Sequence, residues 1–184
     1  MALNIEIDWI QFAEVGPLGE VNIRLNIGDV ELLGSPAIDP IWFPLDPIEF
    51  AYYGMCALRA AKLFGTAVFS ALESEFYLFF LSAGDRISVF CDVSQKAVAC
   101  SYSELLDHWT ALDARLRQMI AQAFPDFARA ADGAQRAWRE AWLGGTANPA
   151  DEMQQFARPL PEPIERRLRV PDVIEQGQDH VHGG

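Results

Sequence analysis

Along the first part of the chain, apolar and polar residues alternate with a period of two. Leu3, Ile5, Ile7 and Trp9 stand against Asn4, Glu6 and Asp8, so residues 3–12 predict a half-buried strand. After Val15-Gly16-Pro17-Leu18-Gly19 the alternation resumes, with Val21, Ile23, Leu25 and Ile27 against Asn22, Arg24 and Asn26. A hairpin of these two strands sets Arg24 opposite or diagonal to Asp8 on the polar face. Gly28-Asp29 suits a two-residue turn whose first position needs positive φ. That turn pairs Ile27 with Val30 and Leu25 with Leu32, which completes a three-stranded meander.

The pattern then breaks. Residues 34–47 hold Pro36, Pro40, Pro44 and Pro47 together with Trp42 and Phe43, and predict a connecting loop with an apolar anchor. In Asp46-Pro47-Ile48-Glu49 the aspartate suits an N-cap, the proline the first helical position and the glutamate a capping box. Gly65 stands where a C′ glycine belongs. Between them, Ile48, Ala51, Tyr52, Met55 and Leu58 lie on one side and Phe50, Tyr53, Ala57 and Phe64 on another, as in a helix covered on most sides.

Thr66–Leu72 predicts a further strand. Glu75–Ser82 and Ile87–Val93 form a hairpin on the Gly84-Asp85 turn. One face of it carries Phe76, Leu78, Phe80, Ile87, Val89 and Cys91, and the other Tyr77, Phe79, Leu81 and Phe90. Two apolar faces call for cover on both sides. A short strand at Ala97–Cys100 follows the Ser94-Gln95-Lys96 turn. Ser101 and Glu104 then make a capping box for an amphipathic helix whose stripe is Leu105, Trp109, Leu112, Leu116 and Met119. Its polar face holds Asp107, Thr110, Asp113, Arg117 and Gln118, and it ends near Pro125. A second helix from Phe127 to Leu143 uses Phe127, Ala131, Ala134, Trp138 and Trp142, and Gly144-Gly145 stop it. From Thr146 onward prolines punctuate a polar segment, expected to be an extended, partly disordered tail that is ordered where it wraps the domain. The fold expected is α+β, an antiparallel sheet of about five to six strands packed by about two to three helices, with a Pro-rich C-terminal extension. Residues 1–145 form the domain and residues 146–184 the extension.

A chain of 184 residues buries enough apolar surface to fold without a staple. Cys56, Cys91 and Cys100 form no CxxC pair, and reduced thiols are expected. The start, Met1-Ala2-Leu3-Asn4-Ile5-Glu6, has no basic n-region, and no apolar run approaches the roughly 18 residues of a membrane span. These features predict a cytoplasmic protein with no membrane partner. The net charge of −12 is uneven: residues 1–113 hold 16 acidic and 5 basic residues, and residues 114–184 hold 10 and 9. An acidic body repels phosphate backbones and disfavours nucleic acid, whereas it attracts a basic partner.

Signatures of chemistry are sparse. GxGxxG, Walker and GxSxG patterns do not occur. Asp179-His180-Val181-His182 offers metal-ligand types in a terminal, glycine-flanked stretch, and His108 follows Asp107 at the rim of the third predicted helix. No catalytic, cofactor-binding or metal-binding residue is expected, and the chain reads as non-enzymatic. Trp9, Trp42 and Trp109 serve as core or as anchors in a binding surface, with core the commoner use.

The order of elements over residues 3–124 (a β-meander, an apolar helix, a hairpin on Gly84-Asp85-Arg86 and a closing amphipathic helix) resembles small acidic immunity proteins of bacterial polymorphic-toxin systems. The resemblance implies a cognate toxin whose active or substrate-binding site is occluded, and it carries over no functional residue. With the acidic balance it makes a basic toxin the expected partner. The expected contacts are Glu73, Glu75, Asp85, Asp92, Asp107 and Asp113. The alternatives are an assembly subunit that dimerises through the Tyr77–Phe79–Phe90 face, and third a hydrolase-like enzyme with paired carboxylates.

Overall fold

The computed structural model describes residues 3–17, 19–33, 43–70, 76–130 and 153–169. It is an α+β fold with two antiparallel sheets of four strands each, where one sheet of five to six was expected. The first sheet comprises β1 (Leu3–Ile7), β2 (Val21–Ile27), β3 (Val30–Leu33) and β4 (Phe43–Leu45). The second runs in the order β5 (Thr66–Ser70), β6 (Tyr77–Ala83), β7 (Arg86–Cys91) and β8 (Lys96–Ser101).

The first sheet is built around β2, which has both edges occupied. Its pairing with β1 runs from Ile7 against Ile23 to Leu3 against Ile27. Along its other edge, β3 takes Leu25–Ile27 and β4 takes Val21–Ile23. Strand β4 falls in the expected connecting loop. Its Pro44 cannot extend the ladder further, as befits an edge. Residues 34–42 of that loop, Trp42 among them, lie outside the described residues.

The expected first strand is shorter than its alternation suggests. The Asp8 carboxylate accepts the N–H groups of Ile10 (3.1 Å) and Gln11 (3.0 Å), so the chain turns into helix α1 (Trp9–Val15). Trp9 and Phe12 then share a helical face, and their rings meet edge-on at 6.0 Å. The register sets Arg24 opposite Glu6 and so diagonal to Asp8, as expected; Asp8 serves as the cap, and Arg24 forms ion pairs with Glu6 (3.7 Å) and Glu31 (3.0 Å). The Gly28-Asp29 turn forms as expected, with Gly28 at φ +61° and Ile27 opposite Val30. A bulge at Leu25/Asn26 then shifts Leu25 from Leu32 to Leu33.

Helix α2 (Pro47–Phe64) has the predicted ends. Asp46 accepts the N–H groups of Ile48 (2.8 Å) and Glu49 (3.0 Å), and the Gly65 N–H closes on Ala61 O at 2.8 Å. It is central, with Phe50, Ala51, Gly54, Met55, Cys56, Ala57, Leu58, Ala60 and Ala61 buried. Helix α3 (Tyr102–Ala123) follows the Ser101 cap, and its buried stripe ends at Ile120, with Met119 only half-buried. The chain is helical again at 125–130, and the rest of the predicted 127–143 helix lies outside the described residues. One core joins β2, α2, α3 and the inner face of the second sheet, with Phe50, Phe69, Phe76, Phe80 and Trp109 at its centre. No polar or charged residue is buried among the described residues.

The hairpin register matches the two predicted faces: Leu78 meets Cys91, Phe79 meets Phe90 and Phe80 meets Val89. The inner face joins the core. The outer face is covered by the C-terminal extension, which holds helix α4 (Glu162–Arg169) where a tail was expected. Residues 146–152 and 170–184 lie outside the described residues, and with them His180 and His182.

Candidate interaction surface

The β6–β7 turn and the start of α3 are tied together. Gly84 at φ +66° lets the chain reverse, and the Asp85 carbonyl accepts the Tyr102 N–H at 2.8 Å. The Lys62 ammonium donates to the Gly84 carbonyl and lies 5.1 Å from the centre of the Tyr102 ring. Burial raises the Tyr102 phenol above its ordinary range, with the nearby Arg59 charge pulling the other way. The same end receives the last turn of α2, because the Ser82 N–H donates to Gly65 O at 2.8 Å. Three elements therefore converge there.

This junction gathers part of the predicted acidic set. Asp85 is exposed at the turn, and Asp107 is exposed on α3. Glu104, not singled out in the sequence, is exposed between them on the first turn of α3, about 4.5 Å along the helix axis from Asp107. In the last turn of α2, after Lys62, Leu63 and Phe64 are 58% and 46% exposed. Their register on an all-round apolar helix hides this. The signal is their place in the last turn before Gly65, where the helix emerges from its cover.

The other predicted acids stand apart. Asp92 lies at the far end of β7, about 23 Å of strand from Asp85. Its carboxylate accepts the Tyr77 N–H at 2.8 Å and its own N–H donates to Tyr77 O at 3.2 Å. Burial lifts this carboxyl above the ordinary range, while the Tyr77 N–H opposes the lift. Asp92 is a clasp between two strands. Asp113 is half-buried and accepts from Arg117 Nε at 2.7 Å, so its charge is paired within the helix. Glu73 and Glu75 lie outside the described residues.

An open groove of about 510 Å³ runs between the outer face of the second sheet and α4. Thr66, Ser82, Ser88, Arg86, Leu168 and Arg169 border it, and its lining holds no carboxylate or histidine. Arg169 is held by Glu165, with Nε 2.9 Å from Oε1. His108 is exposed, and no group of three His, Cys, Asp or Glu among the described residues is placed to hold a metal. All three cysteines are free and buried. Burial raises Cys91 and pushes Cys100 up to about 12. Among the described residues no helix is long and apolar enough to cross a membrane.

The tryptophans divide. Trp109 is core, and its indole N–H donates to Phe50 O at 3.1 Å. Trp9 is half-buried, with the Arg115 guanidinium 4.3 Å from its ring centre. The Tyr77–Phe79–Phe90 face is not open to a second copy: Phe79 and Phe90 lie under α4, and Tyr77 alone of the three is exposed. Arg166 and Arg169 of the extension pair within their own helix, with Glu162 and Glu165, whereas Arg167 reaches Gln95 and the Phe90 ring of the body.

This arrangement defines an α+β protein with no metal cluster among the described residues. No family model, no curated protein and no solved structure matches the chain.

Proposed function

We propose that this protein is a non-enzymatic binding protein that neutralises a cognate, basic bacterial toxin by covering its active or substrate-binding site. One observation carries the reading: Leu63 and Phe64 stand exposed in the last turn of α2, directly after Lys62, which binds the Gly84 carbonyl next to Asp85, on a chain of net charge −12. Exposed apolar area on a protein with excess carboxylate gives a basic partner both desolvated contact area and electrostatic steering, with Arg59, Lys62 and Arg86 interspersed among Asp85, Glu104 and Asp107 at this end. The fold supports this division of labour, since no charged residue is buried among the described residues.

The test uses the purified full chain and the toxin domain encoded by the neighbouring gene. Association is expected to slow by about tenfold or more on raising the salt from about 50 to 500 mM, because steering is screened while docked contacts are not. The triple variant Asp85→Lys/Glu104→Lys/Asp107→Lys is expected to lose association rate, and Leu63→Glu/Phe64→Glu to lose residence time. A complex that forms at the wild-type rate and affinity with both variants overturns the assignment of this surface.

A further inference from the structure

The outer face of the second sheet presents Val68, Phe79, Leu81 and Phe90, and Leu160, Ile164 and Leu168 of the C-terminal segment cover it. These residues form a cluster separate from the main core, so α4 can lift away without opening the packing of α2 and α3, while Met153 and Phe156 at the start of the segment stay anchored on that core, with the Phe156 ring 5.8 Å from Tyr53. The three aliphatic residues fall at steps of four along the chain. Within α4, glutamates in the first turn and arginines in the last complement the helix dipole, and they pair with one another.

One arginine reaches the sheet. Arg167 lies 5.4 Å from the centre of the Phe90 ring and donates to Gln95 Oε1 at 2.8 Å. Gln95 in turn donates to Asp92 O at 2.6 Å and holds a left-handed backbone, φ +57°, that is uncommon for a residue with a side chain. Upstream, the segment lies along the β5 edge. Phe156 O accepts the Val68 N–H at 2.9 Å, and Arg158 O accepts the Thr66 hydroxyl at 2.9 Å. The segment thus binds as a peptide ligand does, with edge-strand hydrogen bonds, an aliphatic stripe and one stacked guanidinium.

We propose that this face is a helix-docking surface, that residues 156–169 occupy it as an intramolecular ligand, and that an external helix of the same pattern takes their place. The pattern is a helical pair of aliphatic residues at i and i+4 with arginine at i+3, as in Ile164, Leu168 and Arg167, preceded by an aliphatic residue in extended chain, as in Leu160. The partner is a protein that offers an arginine-bearing amphipathic helix. Its apparent affinity is lowered by the fraction of molecules whose own segment is seated. This surface is distinct from the acidic end, and its test involves no toxin, so the two readings stand or fall separately.

The probe is a fluorescent peptide of residues 153–170, titrated by anisotropy into the full chain. The variant Ile164→Asp/Leu168→Asp, which unseats the resident segment, is expected to bind it at least about tenfold more tightly than the wild type does. An Arg167→Ala peptide is expected to bind at least about threefold more weakly, and a scrambled peptide not at all. No binding by the folded variant, equal binding by wild type and variant, or equal binding of the scrambled peptide overturns the proposal. Should the variant not fold, hydrogen exchange of the wild type decides. The amides of Val68, Ile164 and Glu165 are expected to exchange at least about tenfold faster than those of Phe80 and Val89, and equal protection overturns the proposal.

Discussion

The Trp109 indole lies so close to the backbone of Gly54 that a Cβ at position 54 would come within 2.5 Å of the ring. The indole N–H meanwhile donates to Phe50 O one turn earlier on the same helix, at 3.1 Å. Helices α2 and α3 are therefore locked at one crossing by a missing side chain on one and the largest side chain on the other.

Gly54→Ala is expected to destabilise the fold by about 1–3 kcal/mol even though alanine favours helix, because the added methyl overpacks the contact. Trp109→Phe is expected to cost about 2–4 kcal/mol through lost volume and the lost indole hydrogen bond to the Phe50 carbonyl. The double variant should lose less than the sum, since the smaller ring leaves room for the methyl. Denaturant unfolding of the four proteins checks this, and strict additivity would refute the steric account.

Asp92 separates charge from hydrogen bonding. Asp92→Ala leaves the Tyr77 N–H without its acceptor and is expected to cost about 1 kcal/mol, whereas Asp92→Asn keeps an acceptor and is expected to cost less. Because burial raises this carboxyl in the folded state, the native protein binds the proton more tightly than the unfolded chain. The stability Asp92 contributes is therefore greatest in acid and declines as pH rises through its folded value. The difference between Asn and Asp should favour Asn more at pH 7 than at pH 4, as read from thermal melts; a difference that is the same at both pH values would remove desolvation as the cause.

Cysteine supplies an alkaline limit. Cys100 titrates near 9.0 in the unfolded chain and near about 12 in the fold, chiefly through burial, with the Glu104 charge adding to the rise. The native state holds its proton across that window while the unfolded state loses it, so stability falls as pH climbs from about 9 toward about 12. Cys100→Ala should flatten that decline. Thiol reagents at pH 8 are expected to modify the three cysteines only as the chain unfolds, and rapid labelling of the native protein would refute their burial.

Much of the fold follows from local rules. Asp46, Pro47 and Gly65 bound α2 where capping chemistry places them, and Ser101 starts α3. Gly28 and Gly84 make their turns, and the Phe79–Phe90 and Phe80–Val89 pairs follow from period-two alternation around the second. These features depend on neighbours in sequence, where spacing is fixed by backbone geometry. The errors share one cause. Trp9 fits a strand by alternation and a helix by its spacing to Phe12, and the choice falls to the Asp8 cap. Of the predicted acids, Asp85 and Asp107 share a region because Tyr102 binds the Asp85 carbonyl, a contact that spacing along the chain does not encode.

By itself the sequence determined the individual strands, turns, helix caps and the excess of negative charge, because these arise from dihedral preference, periodicity and residue count. The tertiary structure alone decided that the strands divide into two sheets, with β2 paired to β1, β3 and β4, and that the C-terminal segment covers the second apolar face of the hairpin. Hydrophobic burial explains the difference: it acts on area without regard to sequence distance, so any apolar stripe that can reach an uncovered face can satisfy it, and only three-dimensional packing selects Leu160, Ile164 and Leu168 for that position.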